Sequence, residues 1–129
     1  MIPQKQPQQK GFTLIELLVV MAIIATLLTL AVPRYFNSIE KSKEAVLRQD
    51  LATLRDAIDK YVADKGSYPA SLESLVQEKY VRHIPVDPFT QANDSWLSSA
   101  PDDPLMSGVS DVHSGAEGLS RDGSAYSEW

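Results

Sequence analysis

From Phe12 to Val32 the chain reads FTLIELLVVMAIIATLLTLAV, where Glu16 is the only charge and no glycine or proline interrupts. A helix of this length rises about 30 Å, the thickness of a bilayer's hydrocarbon core. It would be apolar on every side, unlike a helix on the surface of a soluble domain. The pattern changes after Pro33. Ile39, Leu47, Leu51, Leu54, Ile58 and Val62 recur mostly at spacings of three and four, which makes one apolar stripe. Glu40, Lys41, Lys43, Glu44, Arg48, Asp56, Asp59 and Lys60 mostly lie off it and predict a solvated face, with Glu44–Arg48 a favourable i, i+4 pair and Glu40–Glu44 a repulsive one. The simplest reading is one helix from Phe12 to about Asp64. Pro33 would kink it and Gly66 would end it.

Beyond Gly66 the signals shorten. Ser71 is placed to cap a small helix, Leu72–Gln77, whose Leu72, Leu75 and Val76 would pack back on the long helix. Ile84-Pro85-Val86-Asp87-Pro88-Phe89 reads as an extended, proline-stiffened crossing. Residues 87–129 are rich in Ser, Gly and Asp, a loop composition. Trp96, Leu97, Leu105, Val109, Val112, Leu119, Tyr126 and Trp129 are nevertheless spaced along them as apolar anchors, so order is expected. A small antiparallel sheet fits, with strands near Ser95–Ser98 and Val109–His113 and a third strand unplaced. The class is α+β.

Charge sharpens this division. The chain has 129 residues, no cysteine and a formal charge of −5. Its length suits one domain, and the missing cysteines exclude a disulfide scaffold and thiolate metal sites. Residues 1–11 carry Lys5 and Lys10 alone, residues 34–65 are nearly balanced, and residues 87–129 hold eight acids against Arg121. A nucleic-acid partner is not expected, because no broad basic face is available. Lys5 and Lys10 precede the apolar run and Arg34, Lys41 and Lys43 follow it, so positive charge alone does not orient it. A removable secretory signal has an apolar core of only ~7–15 residues and then a small-residue cleavage site. Pro33-Arg34-Tyr35-Phe36 supplies no such site, and a retained membrane helix is expected. Glu16 has two readings: it snorkels from the helix end to the headgroups, or it pairs with a cation within the membrane. His83 and His113 lack zinc-ligand spacing, and neither a G-x-S-x-G elbow nor a phosphate-cradling glycine loop occurs. A membrane-anchored enzyme is therefore only a remote alternative.

Gly11-Phe12-Thr13-Leu14-Ile15-Glu16, behind a short basic leader and ahead of the apolar run, resembles the class III signal of type IV pilins and type II secretion pseudopilins. The stretches GSYPASLESLV and Pro85-Val86-Asp87-Pro88-Phe89 are similar to segments of the major pseudopilins. The resemblance implies a type IV pilin-like fold divided into a cytoplasmic leader (1–11), a transmembrane and filament-core helix (12–33), an amphipathic stalk (34–65) and a periplasmic head (66–129). It implies cleavage after Gly11 by a prepilin peptidase and N-methylation of Phe12. In a helical stack, Glu16 of one copy would face the Phe12 amine of a neighbour. The implied role is a structural subunit, not an enzyme, of an inner-membrane-anchored periplasmic filament that drives protein export. Expected partners are further copies of the chain, minor pseudopilins, inner-membrane lipid and an assembly platform with a cytoplasmic ATPase. A type IV pilus subunit for adhesion, motility or DNA uptake is the alternative. The absent cysteines, the short head and the tail fit it less well.

Carboxylate-rich loops invite a hard cation. The major pseudopilins have a calcium-binding C-terminal loop, which Asp111-Val112-His113-Ser114-Gly115, Asp122-Gly123 and Trp129 resemble in part. The adjacent Asp pair of that pattern is missing, since Ser124 and Ala125 stand there. The resemblance thus implies Asp122, with Asp111, as candidate calcium ligands. A loop closed by Tyr126 and Trp129 without metal is the competing expectation.

Overall fold

The computed structural model describes residues 2–5 and 11–129; Lys10 and most of the expected leader lie outside the described residues. The elements in order are a helix α1 (Leu14–Lys65), a short helix α2 (Leu72–Gln77), strands β1 (Leu97–Ser99) and β2 (Asp111–His113), and a 3-10 turn, Tyr126–Glu128. The chain divides into two compact units, Met1–Ser38 and Ile39–Trp129.

In the first unit, α1 contains one stretch long and apolar enough to cross a membrane, and none of that window is buried within the chain. Its side chains are bare, from Leu14 at 78% exposure to Val32 at 43%. The span satisfies its own polar groups: the hydroxyls of Thr26 and Thr29 each donate at 2.8 Å to the carbonyl four residues back, at Ala22 and Ala25. This internal bonding suits a lipid environment, where no water replaces a missing partner. The helix runs through Pro33 without a break. It starts two residues later than the sequence suggests, because Thr13 is used as its cap.

In the second unit, α1 supplies the centre of the predicted stripe. Leu47, Leu51, Leu54 and Ile58 are almost wholly buried, whereas Ile39 and Val62 at its ends are half-buried. Leu72 and Leu75 of α2, Trp96, Val109, Val112, Ala116 and Tyr126 complete the core. Gly66, at φ +74°, ends α1 with its amide donating to Val62 O at 2.8 Å. α2 falls where predicted, but Ser71 makes no capping bond to its amides. Its hydroxyl lies instead 3.3 Å from that of Ser74. At the other end a Schellman turn closes α2: Tyr80 N donates to Leu75 O at 2.8 Å and Lys79 N to Val76 O at 3.1 Å. Lys79 occupies the left-handed position at φ 63°, where glycine is preferred.

The sheet is antiparallel and, among the described residues, has two strands, pairing Leu97 with His113, Ser98 with Val112 and Ser99 with Asp111. Both strands begin two residues later than predicted. Val109 N is spent on Pro69 O at 2.8 Å, so the chain there pairs with the connector. Gly115 crosses so close to Ser95 that an added Cβ would sit 1.9 Å from its carbonyl oxygen. Three expected anchors are exposed: Leu97 at 53%, Leu105 at 94% and Leu119 at 66%. Leu97 follows the inward Trp96 and faces out by strand alternation. Lys79→Gly should raise the unfolding free energy by about 1 kcal/mol by removing the left-handed penalty, measured as an increased urea midpoint at unchanged slope.

Candidate functional site

Two groups of residues carry the candidate chemistry. The first is the start of α1. Gly11, Phe12 and Thr13 precede the helix, and Phe12 is 88% exposed. Thr13 and Glu16 form a capping box. Glu16 N donates to the Thr13 hydroxyl at 3.2 Å, and Thr13 N donates to Glu16 Oε2 at 3.4 Å. A Glu three residues after a Thr cap is a recognisable start signal, and the sequence reading of Glu16 overlooked it. The carboxylate therefore has a partner in its own chain. It also sits in the first turn, where the helix dipole favours negative charge.

The second group holds the C-terminal segment on α1. The charged face expected to be solvated is in part a docking face. Glu44 does not pair with Arg48. Its Oε1 accepts from Arg121 N and from the Tyr126 hydroxyl, both at 3.0 Å. Arg48 stacks its guanidinium 4.1 Å from the centre of the Trp129 ring. Arg55, which the sequence did not single out, donates from Nε to Asp111 Oδ1 at 2.9 Å and from Nη2 to Val112 O at 2.9 Å and Trp129 O at 2.6 Å. His113 Nδ1 lies 2.7 Å from the same Trp129 oxygen, which places a proton on that nitrogen. Trp129 Nε1 donates to the Ser124 hydroxyl at 2.8 Å. Phe89 stacks on Tyr126 at 4.1 Å between centroids, and Tyr126 meets Trp129 edge-on at 5.2 Å.

The two candidate calcium ligands are already engaged. Asp122 Oδ1 accepts from the Ser120 hydroxyl, from the Ser124 hydroxyl at 2.6 Å and from Ser124 N at 3.0 Å. These bonds, Ser120 first, hold its carboxyl well below the usual range. Asp111 Oδ1 accepts from Arg55 and from Val112 N. Calcium takes about six to eight oxygens, yet among the described residues no three carboxylates or histidines converge. Asp103, of the adjacent pair Asp102-Asp103, accepts from Leu105 N at 2.9 Å within an exposed loop. In this structure serine hydroxyls and Arg55 supply the partners of the two candidate ligands.

Asp87 was also missed. It is fully buried, with Oδ2 accepting from the Ser114 hydroxyl at 2.5 Å and Oδ1 from Phe89 N at 2.9 Å and Thr90 N at 3.4 Å. The signal was Asp-Pro-Phe-Thr, since an Asp bonding the amides two and three residues on makes an Asx turn. Burial and the Asp87 charge push the Asp50 carboxyl up.

Burial and the bond to Glu44 push the Tyr126 hydroxyl up to about 12, and the bond to Asp64 does the same for Tyr80. The folded state therefore favours protonated tyrosine. That stability is complete below the free tyrosine value of about 10 and is lost as pH rises towards 12. Urea midpoints measured from pH 9 to 11.5 should fall, and Tyr126→Phe should flatten the slope by roughly half, because one of the two raised groups is gone.

With this geometry in view, known families account for nearly the whole chain. Residues 6–32 match the model of the prokaryotic N-terminal methylation motif, and residues 34–122 match that of type II secretion system (T2SS), protein G. The type II secretion system core protein G of Escherichia coli (strain K12) is 35% identical over 98 residues, covering 64% of this chain and 68% of the relative. That of Pseudomonas aeruginosa is 34% identical over 98 residues, covering 64% and 69%. That of Vibrio cholerae serotype O1 is 31% identical over 101 residues, covering 67% and 69%. No solved structure matches the chain significantly. The match to the protein G model runs from just after Pro33 through the head to Asp122, so the chain belongs to the protein G family of type II secretion systems.

Proposed function

We propose that the chain is a structural subunit of the filament that drives protein export in type II secretion. One observation carries the reading: a single helix, Leu14–Lys65, gives one half to a packed head and leaves the other half bare and apolar. Bare helices of this kind find their solvent in lipid or in each other. The protein G match supports the same role. On this reading the leader is cut after Gly11 by a prepilin peptidase, and Phe12 becomes the methylated amino terminus. The apolar half anchors the subunit in the inner membrane with the head in the periplasm. It then bundles with other copies, Pro33 supplying a kink between filament core and stalk. The remaining machinery is an assembly platform with a cytoplasmic ATPase, together with minor subunits. The chain needs no catalytic group of its own.

Glu16 is the assembly residue in this scheme. In the filament its carboxylate exchanges the Thr13 amide for the Phe12 amine of a neighbour, a charge-assisted partner. Glu16→Ala should leave cleavage after Gly11 intact by mass and reduce sheared filaments at least tenfold, because an unpaired amine in apolar surroundings costs more than the ~1.4 kcal/mol that a factor of ten represents. Mutant filaments at wild-type yield would remove Glu16 from assembly. An uncut chain with or without the peptidase would remove the processing step.

The C-terminal loop, in the same proposal, is closed by protein donors. Ser120 and Ser124, the latter held by Trp129 Nε1, do at Asp122 what a cation would do in a more acidic loop. Excess EDTA should leave the melting temperature of the detergent-solubilised chain within about 1 °C of its value in calcium, whereas a site at a hundred times its dissociation constant would add about 2.7 kcal/mol, several degrees for a domain of this size. Asp122→Ala should lower the melting temperature equally with and without calcium.

A further inference from the structure

The loop Pro101–Met106 presents a leucine with nothing to cover it. Leu105 is 94% exposed and Met106 37%. The loop is pinned: Asp103 Oδ1 accepts from Leu105 N at 2.9 Å, and Met106 N donates to Asp103 O at 3.0 Å. Pro101 and Pro104 stiffen it further. Its neighbour Asp102 makes no hydrogen bond or ion pair among the described residues. The result is a preformed apolar knob beside a free carboxylate. A preformed knob binds at little ordering cost.

The same unit carries a hole of matching chemistry. A groove of about 360 Å³ is lined by Arg48, Leu51, Ala52, Arg55 and Trp129. Its lining joins two apolar residues of α1 to an indole and two guanidinium groups. Arg48 stacks on Trp129 and forms no ion pair among the described residues. Arg55 spends three bonds inside the chain yet stays 38% exposed at its side chain. No residue of the 101–106 loop lines this groove, so knob and hole are separate patches of one chain.

We infer that, in the filament, the loop of one copy seats Leu105 in the Arg48–Arg55–Trp129 groove of a second copy, with Asp102 facing Arg48. This rests on the filament reading above. Charge points to a second copy as the occupant: Asp102, beside Leu105, makes no hydrogen bond or ion pair among the described residues, and in the groove Arg48 forms no ion pair, whereas Arg55 is held by Asp111. Two different patches that fit each other make a head-to-tail contact, and such contacts propagate as an open helix wherever the rotation between copies does not close a ring.

The chain has no cysteine, so an introduced pair reports one contact. Sheared filaments of the full-length Ala52→Cys/Leu105→Cys variant, oxidised and run without reductant, should give a ladder of dimers and higher oligomers that neither single variant gives. Arg48→Glu and Asp102→Arg should each lower filament yield about fivefold, and the double variant should restore most of it. Filaments that form without a ladder, or with a disulfide closed within one copy, would overturn the contact and leave the filament reading standing. If the cysteine pair blocks assembly, the charge reversals decide: additive losses without rescue overturn the contact. An unaltered chain that forms no filaments in its host would overturn both readings.

Discussion

Every part of the second unit is organised by one buried stripe on α1. Leu47, Leu51, Leu54 and Ile58 are exposed by 2% or less, and α2, β2 and the C-terminal turn bury Leu72, Leu75, Val112 and Tyr126 in the cluster these four form. The rest of the unit has too little secondary structure to build a core alone. A pair of three-residue strands is not stable in isolation, and a six-residue helix is below the length at which helices persist in water. α1 is therefore the template. Residues 39–65 supply that template, and the exposed apolar residues before them take no part in the core.

The head solves its charge problem by dispersal. Residues 87–129 hold eight carboxylates, which in a small volume would repel. Asp87 goes into the core and takes the Ser114 hydroxyl and two amides. Asp111 goes to Arg55, and Asp122 to Ser120 and Ser124. Among the described residues no buried side-chain polar atom is left without a partner. Serine suits this work because a hydroxyl donates to a carboxylate at no charge cost. A composition that looked like mere loop thereby supplies the donors that let its acids pack. Trp129 ties the segment down from several directions, through its ring to Arg48 and Tyr126, its indole to Ser124 and its main-chain oxygen to Arg55 and His113.

What could be read from the sequence was what is local. The period of α1, the Gly66 stop and the bounds of α2 follow from spacing and turn chemistry within a few residues, and the structure keeps them. The apolar length of 12–32 needs no tertiary context at all. Contacts across long sequence separations were not legible. Glu44, Arg48 and Arg55 look like ordinary solvated charges, because their partners at Asp111, Arg121, Tyr126 and Trp129 lie more than fifty residues away. Asp87 reads as one loop acid among several although its own turn marks it, and Leu105 reads as an anchor because a spaced leucine usually is one. The strands were placed within two residues, but Val109 turned to Pro69 and Gly115 to Ser95, backbone approaches that no side-chain pattern encodes.

The capping box changes how Glu16 must be understood. A bare carboxylate in an apolar segment would carry a large penalty, and assembly would then be driven by relief of that penalty. Here the carboxylate accepts from Thr13 N and lies in the first helical turn, so the separate subunit already offsets much of the cost. On the proposed reading, cleavage after Gly11 would leave Thr13 N an ordinary amide, and the box would survive processing. In the proposed filament, assembly would be an exchange of one partner for another, a neutral amide at 3.4 Å for an ammonium, and the gain would be the difference between a neutral and a charge-assisted hydrogen bond. In that scheme a subunit in the wrong register would keep the weaker bond instead of losing all bonding. Discrimination per contact is modest as a result, and a filament that relies on it must repeat the test at every subunit.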